Sequence, residues 1–351
     1  MQFDLLFRNR SIGILFLFLG MCLPSRSQDS GLTVVAQTGD GILSLLRKQG
    51  VDPYDYYDEF IAMNRENLRD SVHLYAGREY RIPPADLDTV EVVDSIRSKS
   101  TEVEDIKTRE IPILGAAHST VLIKSDRLAG TVYYLVSGHG GPDPGALGMS
   151  GGKAIPEDEY AYDITLRLAR ELIAHGARVY VIIRDGNDGI RDDRILEIDH
   201  DEEAYLDQPI PLNQVKRLKQ RVDIVNDRYR KHKGLYQRLI VTHIDSRSVG
   251  QNIDVFFYHH ENSKNGKRLS ECIHKTFEKN YKKYQPNRVY SGTFEDRTGL
   301  YMVRMTHPAM TFIEVGNIRN RKDQRRILIP QNRQALAKWI AEGILLDYEE
   351  R

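Results

Sequence analysis

The fold of this chain is decided by residues 131–146, which read TVYYLVSGHGGPDPGA. The apolar run at 132–136 ends in a glycine-rich turn, and similar runs recur downstream between stretches of helical period. Strands that alternate with helices indicate an α/β domain with a largely parallel, twisted sheet flanked by helices. The predicted strands are 131–137, 178–183, 238–242, 253–258 and 309–315. The predicted helices are 158–175, 212–231, 264–283 and 331–348.

Three of the predicted strands end on a side chain suited to metal chemistry, namely His139, His243 and Glu314. Glu157 begins the first long helix beside the same edge of the sheet. Ligands of open α/β sheets collect outside the carboxyl ends of the strands, so we expect these residues to converge there. Two imidazoles and one carboxylate with an open fourth position are typical of catalytic zinc. A further carboxylate would serve as the general base.

Residues from about 132 to 348 resemble the zinc-dependent N-acetylmuramoyl-L-alanine amidases of the type 3 amidase family. The resemblance is carried by GHGGPDPGA at 138–146, by Glu157, by RVDIVN at 221–226 and by FIEVGNIRN at 312–320. THID at 242–245 stands where the family usually has SIHAN. We therefore expect the substrate groove of this chain to differ from that of the family. The resemblance implies that His139, Glu157 and His243 bind zinc and that Glu314 is the catalytic residue.

The same resemblance implies hydrolysis of the amide bond between N-acetylmuramic acid and L-alanine in bacterial peptidoglycan. Zinc would bring the pKa of a bound water toward neutrality, and Glu314 would move the proton to the leaving amine. Asp143 has two open interpretations: it orients a ligand histidine, or it braces the glycine turn. Two alternatives to the amidase remain: a zinc peptidase acting on another peptidoglycan bond, and a non-catalytic wall-binding scaffold or activator.

The N-terminus has the features of a secretory signal peptide over residues 1–27. Arg8 and Arg10 precede an apolar run at 12–23 that is short for a membrane span, and small residues follow it. We expect export to the periplasm or beyond, with an uncleaved anchor as the alternative. Removal of the signal leaves Cys272 as the sole cysteine, so no internal disulfide is expected.

Residues 32–84 predict a small domain in the order strand, helix, helix, strand. Gly39-Asp40, Asn64 and the segment 77–83 resemble a LysM module, which implies binding to peptidoglycan or chitin. A structural cap without a ligand is the alternative. The polar, charged segment 85–110 indicates a flexible linker, and the catalytic domain is predicted to span 111–351.

Charge and composition limit the classes of partner that the chain is expected to bind. Its 50 basic and 50 acidic side chains balance, which argues against a nucleic-acid-binding protein. Peptidoglycan is the expected partner, an activator protein is a further candidate, and no stable membrane span is expected after signal cleavage.

An acidic insertion at 185–211 departs from the family pattern. Residues 185–207 hold ten carboxylates against two arginines. DGNDG at 185–189 is similar to the start of a calcium loop, but its spacing lacks the usual alternating register. The sequence therefore predicts a solvated acidic loop that borders or gates the zinc cleft.

Overall fold

The computed structural model describes residues 32–37, 40–49, 51, 53–69, 73–83, 107–246 and 254–351. The predicted signal peptide and Gly39 of the predicted turn lie outside the described residues, as does most of the predicted linker. The chain divides into two compact units, Met1–Thr101 and Glu102–Arg351. Among the described residues, no helix is long and apolar enough to cross a bilayer.

The N-terminal unit has the predicted order of strand, helix, helix and strand. Its elements are β1 (Thr33–Val35), α1 (Ile42–Lys48), α2 (Pro53–Asn64) and β2 (Glu79–Arg81). The two strands pair antiparallel. Leu46, Phe60 and Tyr80 are buried between the helices and the strands and form the centre of a small apolar core.

Asn64 has a structural role in this small unit. Its buried side-chain amide donates to the carbonyls of Phe60 at 2.9 Å and Arg81 at 2.8 Å, and its own carbonyl accepts from the Arg81 N–H at 2.8 Å. Asn64 therefore ties the end of α2 to β2, because every polar group of its side chain is used within the fold.

The larger unit is an α/β domain. Its strands are β3 (Thr108–Glu110), β4 (Thr120–Leu122), β5 (Thr131–Ser137), β6 (Leu147–Ser150), β7 (Lys153–Pro156), β8 (Arg178–Val181), β9 (Ile183–Arg184), β10 (Glu203–Ala204), β11 (Gln208–Pro209), β12 (Tyr236–Asp245), β13 (Phe256–His259), β14 (Thr293–Asp296) and β15 (Ala309–Asn317). Its helices are α3 (Glu157–Ala174), α4 (Gln214–Lys231), α5 (Lys264–Tyr284), α6 (Tyr301–Met305), α7 (Arg321–Leu328) and α8 (Pro330–Glu349). The sequence predicts a linker over 85–110, but β3 pairs antiparallel with β4 and so belongs to this unit.

The central sheet has six strands in the order β14-β13-β15-β12-β5-β8. Pairing is parallel throughout except between β13 and β15, which run antiparallel. The largely parallel sheet is confirmed. Strand β14 and helices α6 and α7 were not predicted, because each is short, with four, five and eight residues.

Helices cover both faces of this sheet because successive strand residues point to opposite faces. Tyr133, Leu135 and Ile240 belong to a core shared with α3, α5 and α8. Tyr134, Val136 and Val241 belong to a second core shared with α4 and α6. Each fully buried side chain of this size stabilises the fold by about 1.5–3 kcal/mol. Because helices pack on both faces, the sheet holds the edge at which the polar residues collect in a fixed position.

The register of the strands aligns that edge. Thr242 pairs with Ser137 across β12 and β5, and His243 pairs with Glu314 across β12 and β15. The turn after β5 therefore begins beside His243, and Gly138 donates its N–H to the Thr242 carbonyl at 2.8 Å.

The acidic insertion is solvated only in part: most of its carboxylates are exposed, as predicted, but two of them are packed inside the domain. Asp185 and Glu202 are each only 4% exposed, and β9, β10 and β11 form a small antiparallel sheet. Arg333, which is fully buried on α8, donates to the carbonyls of Arg191 and Asp193 at 2.7 and 3.0 Å. Arginine partners from a distant helix hold the insertion against the domain, and local composition could not reveal them.

Candidate metal centre

The turn after β5 needs glycine because the two histidines lie so close to its backbone. A Cβ at Gly138 would lie 2.4 Å from the His243 ring, and one at Gly145 would lie 2.7 Å from the His139 ring. His139 itself has a φ of 60°, a conformation that non-glycine residues rarely adopt and that is costly unless the surroundings impose it. The turn thus presents His139 toward His243 at the expense of local strain.

Glu157 is held by backbone groups on both sides. Its N–H, the first of α3, donates to the carbonyl of Ala146 at 2.9 Å. Its Oε2 accepts from the Ala146 N–H at 3.0 Å, and its Oε1 accepts from the Ile244 N–H at 3.0 Å. Glu157 is 4% exposed, so these contacts fix a buried carboxylate at the edge of the sheet.

The structure brings His139, Glu157 and His243 together. Glu157 Oε2 lies 3.3 Å from His139 Nε2, and Glu157 Oε1 lies 2.9 Å from His243 Nδ1. The two imidazole rings meet edge to face, with centroids 5.0 Å apart. One potential ligand atom from each residue lies within 4.8 Å of the other two. Glu159, two residues further on, instead contacts Arg191 at 2.7 Å.

These residues fit a zinc ion. Zn–N and Zn–O bonds of about 2.0–2.2 Å in a tetrahedron place neighbouring ligand atoms roughly 3.3–3.5 Å apart. The observed separations of 2.9 and 3.3 Å are close to that spacing. Two nitrogen donors and one carboxylate oxygen are also a donor set that zinc prefers in catalytic sites.

Electrostatics within the cluster depend on the contacts between its members. Burial disfavours the charge on Glu157, but hydrogen bonds from His139 and His243 hold the pKa of its carboxyl well below the usual range. Burial likewise opposes protonation of His139, yet hydrogen bonds to Asp143 and Glu157 raise its pKa to about 10. Burial lowers the pKa of His243. The carboxylate is therefore ionised, the form in which it binds a metal, whereas His139 has to release its Nε2 proton to do so.

Asp143 performs both of the actions that the sequence left open. Its Oδ2 lies 2.9 Å from His139 Nδ1, and its Oδ1 accepts from the Gly145 N–H at 3.2 Å. It therefore orients the imidazole and braces the glycine turn. A carboxylate on the nitrogen that faces away from the metal is typical of metal-binding histidines.

Two arginines of α4 reach the same turn. Arg217 contacts Asp143 Oδ2, and Arg221 donates to the carbonyl of His139. Burial lowers the pKa of Arg221 to about 10, with Arg217 adding to the effect. Arg221 was noted from the sequence as part of a helix motif, whereas Arg217 was missed. The signal was available, because residues four apart share one helix face.

Glu314 lies on the strand next to His243, opposite it in register, and is 7% exposed. Phe312, two residues earlier on the same face, stacks on the His243 ring with centroids 4.5 Å apart. A cavity of about 170 Å³ opens beside the centre and is lined by both histidines, Asp143, Arg217, Tyr301 and Phe312, among others. The centre thus combines buried polar groups with an apolar wall, as small-molecule sites do.

Comparison with known proteins agrees with this geometry. A family model described as N-acetylmuramoyl-L-alanine amidase matches residues 134–345. No curated protein sequence matches the chain.

Solved structures of similar fold include three bacterial amidases. The CwlD amidase from Clostridioides difficile, in complex with the GerS lipoprotein, is 19% identical with a TM-score of 0.48, over 63% of this chain and 99% of that one. N-acetylmuramoyl-L-alanine amidase AmiC2 of Nostoc punctiforme is 21% identical with a TM-score of 0.44, over 65% and 99%. Ami1 from Mycobacterium smegmatis is 16% identical with a TM-score of 0.47, over 64% and 99%.

The family match covers well over half of the 351 residues and spans the turn, the three strand ends and the helix that form the centre. The chain therefore belongs to the N-acetylmuramoyl-L-alanine amidase family, hydrolases that cleave an amide bond of peptidoglycan.

Proposed function

We propose that this amidase works with a zinc ion held by His139, Glu157 and His243, and that Glu314 is its general base. Membership of the family supports the reaction, hydrolysis of the amide between N-acetylmuramic acid and L-alanine. The metal assignment is supported by one observation above all, the convergence of three ligand atoms within 4.8 Å of one another.

Zinc bound there would act as a Lewis acid toward the scissile carbonyl and bring the pKa of a water toward neutrality. Glu314, buried on the neighbouring strand, accepts the proton of the attacking water and passes it to the leaving amine. Asp143 keeps the Nδ1 proton of His139 and so presents Nε2 toward Glu157 and the metal. Arg217 holds Asp143 in place for that task.

The remaining parts of the chain fit work on cell wall. The signal-like residues 1–27 would direct export, and the 85–107 segment would tether the catalytic unit. The βααβ unit would bind glycan, as its LysM-like residues imply. Asn64 is used inside that fold, so any glycan contact would come from other residues of the unit.

Digestion of purified peptidoglycan tests the proposal directly. The chain from Gln28 onward would be incubated with wall in the presence of zinc or of a chelator, and soluble products identified by mass spectrometry. We expect free stem peptides with an L-alanine amino terminus, lost on chelation and restored by zinc. Peptides cut elsewhere would support the zinc peptidase instead. Intact wall from protein that holds no zinc would support the non-catalytic scaffold.

A further inference from the structure

A second cluster of carboxylates lies in the acidic insertion, apart from the three residues of the metal centre. Asp185 follows β9, and Asp199 and Asp201 lie on the segment that leads into β10. One carboxylate oxygen from each of the three lies within 4.8 Å of the other two. The chain therefore folds back to bring Asp185 close to two acidic residues that lie fourteen and sixteen positions later in the sequence.

Oxygens in this cluster are buried without a donor. Asp185 Oδ1 accepts from the N–H groups of Asn187 and Asp188 at 2.9 and 2.8 Å. Its Oδ2 is inaccessible to solvent and has no hydrogen-bond partner within the described part of the chain, and the residue is only 4% exposed. Asp199 is half-buried, but its Oδ1 is likewise inaccessible to solvent and has no hydrogen-bond partner among the described residues. A buried carboxylate oxygen without a partner is costly, so the geometry indicates a missing ligand.

Neighbouring arginines are engaged elsewhere. Arg191 contacts Glu159 and Asp188, and Arg184 lies 3.6 Å from Asp207. Within the described ranges, no arginine or lysine forms an ion pair with any of the three clustered aspartates. Asp201 receives one neutral donor, the Asn187 amide, at 2.7 Å. Three carboxyl groups therefore share a small space with no arginine or lysine paired to them within the described ranges.

We propose that Asp185, Asp199 and Asp201 form a calcium site. Carboxylate oxygens are the ligands that Ca²⁺ prefers, at about 2.3–2.6 Å, so oxygens on opposite sides of the ion are about 4.6–5.2 Å apart. The three clustered oxygens all lie within 4.8 Å of one another, which is compatible with those distances. Asp201 is exposed, which leaves one side open for the waters that complete a calcium shell. The all-oxygen donor set separates this site from the nitrogen-containing zinc centre.

From its position, a calcium ion at this site would affect the structure around the zinc centre. It joins the end of β9 to the segment before β10, and Glu202 on that segment accepts from the Gly141 N–H at 2.7 Å. His200 contacts the carbonyl of the same glycine at 3.0 Å. Gly141 is two residues from His139, so calcium would stiffen the wall of the zinc centre without touching its ligands.

Calcium titration of the zinc-loaded, full-length chain by isothermal calorimetry tests this inference, together with thermal unfolding with and without calcium chloride. We expect one calcium per chain and a higher Tm in calcium, since a ligand that binds only the folded state stabilises it. Asp199→Asn and Asp201→Asn should each weaken calcium binding about tenfold or more, because calcium affinity follows the charge of the ligands. Glu197→Gln, which removes an exposed carboxylate of the same insertion, is the matched control and should bind as the unmodified chain does.

Three results would overturn the inference. One is a folded, unmodified chain that shows neither binding heat nor a rise in Tm. Another is equal weakening in Glu197→Gln, which would mean diffuse attraction to an acidic surface. The last is loss of calcium binding in His243→Ala, which would place the calcium in the zinc centre. Retained binding in His243→Ala supports a separate site, whatever the variant does to wall hydrolysis.

Discussion

Two carboxylate-rich regions adjoin the turn after β5, and their electrostatics are opposite. In the metal centre, burial disfavours the charge of Glu157, but two imidazoles keep the pKa of its carboxyl well below the usual range. In the insertion, burial and neighbouring carboxylates raise the pKa of Asp199 to about 7. Glu157, which is the more deeply buried of the two, is nevertheless charged, whereas Asp199, which is only half-buried, is partly protonated at neutral pH. Hydrogen-bond and charge partners decide whether a buried carboxyl group is ionised. A buried carboxylate that lacks such a partner in the protein is a candidate for binding a cation.

The largest expected effect is a loss of catalytic rate that arises in the metal centre and not in the insertion. Glu314→Gln should lower kcat by about 100- to 10,000-fold, because a general base contributes a factor of that order. Zinc content and the calcium response of the insertion should not change. The measurement is release of stem peptides from peptidoglycan, with Glu295→Gln, an exposed carboxylate on β14, as the control. A Glu314→Gln rate equal to that of the control would remove Glu314 from the mechanism.

Next in size is the arginine that holds the insertion. Arg333 is fully buried and contacts the carboxylate of Asp163 as well as two insertion carbonyls. Arg333→Met should lower the free energy of unfolding by about 3–5 kcal/mol, because it leaves buried acceptors without a donor. Urea denaturation measures this, with the exposed Arg325→Met as control. Unchanged stability would mean that the insertion does not depend on α8.

A smaller effect is expected where a carboxylate supports a metal ligand. Asp143→Asn should weaken zinc binding about 10- to 100-fold, the usual cost of losing the partner of a ligating histidine. Competition with a chromophoric chelator gives the affinity. Asp223→Asn, an exposed acid on α4 paired with Lys219, is the control. Equal affinities in the two variants would show that Asp143 braces the turn and does nothing for the metal.

The smallest effect concerns charge within the insertion. Burial, with Glu159 and Asp199 nearby, raises the pKa of Glu202 to about 7 from an ordinary value of 4.5. The folded state therefore favours the protonated acid, and this stability is present below pH 4.5 and lost as the pH rises through about 7. Glu202→Gln keeps an acceptor for Gly141 and removes the ionisation. Above pH 7 it should be more stable than the unmodified chain by on the order of 2 kcal/mol.

Thermal unfolding across pH in calcium-free buffer measures this difference, with exposed Glu203→Gln as the control. If plots of Tm against pH for Glu202→Gln and for the unmodified chain run parallel from acid to neutral pH, the pKa of Glu202 is not raised by folding and this explanation is wrong.

Sequence predicts the sheet and the convergence of His139, Glu157 and His243 for a physical reason. Strand ends, a glycine turn and a helix start are local features, and the parallel topology brings them to one edge. His139, Glu157 and His243 could therefore be placed without knowing any long-range contact. The antiparallel β13 was harder, because its short apolar run gives no sign of direction.

The insertion shows where such prediction ends. Ten acids in 185–207 indicate a solvated loop by composition, yet Asp185 and Glu202 are buried. The burial depends on Arg333, more than a hundred residues away, and on the close approach of Gly189 to Gly115, where a Cβ would lie 2.4 Å from the opposing backbone. Contacts of this kind leave no periodicity in the sequence.

Anomalous diffraction from crystals grown with zinc and calcium tests the central claim most directly. Maps recorded on either side of the zinc absorption edge locate that metal alone. We predict one zinc peak in bonding distance of His139, Glu157 and His243, with none among Asp185, Asp199 and Asp201. A zinc-free centre, or a zinc peak in the insertion instead, would contradict the assignment of these two regions.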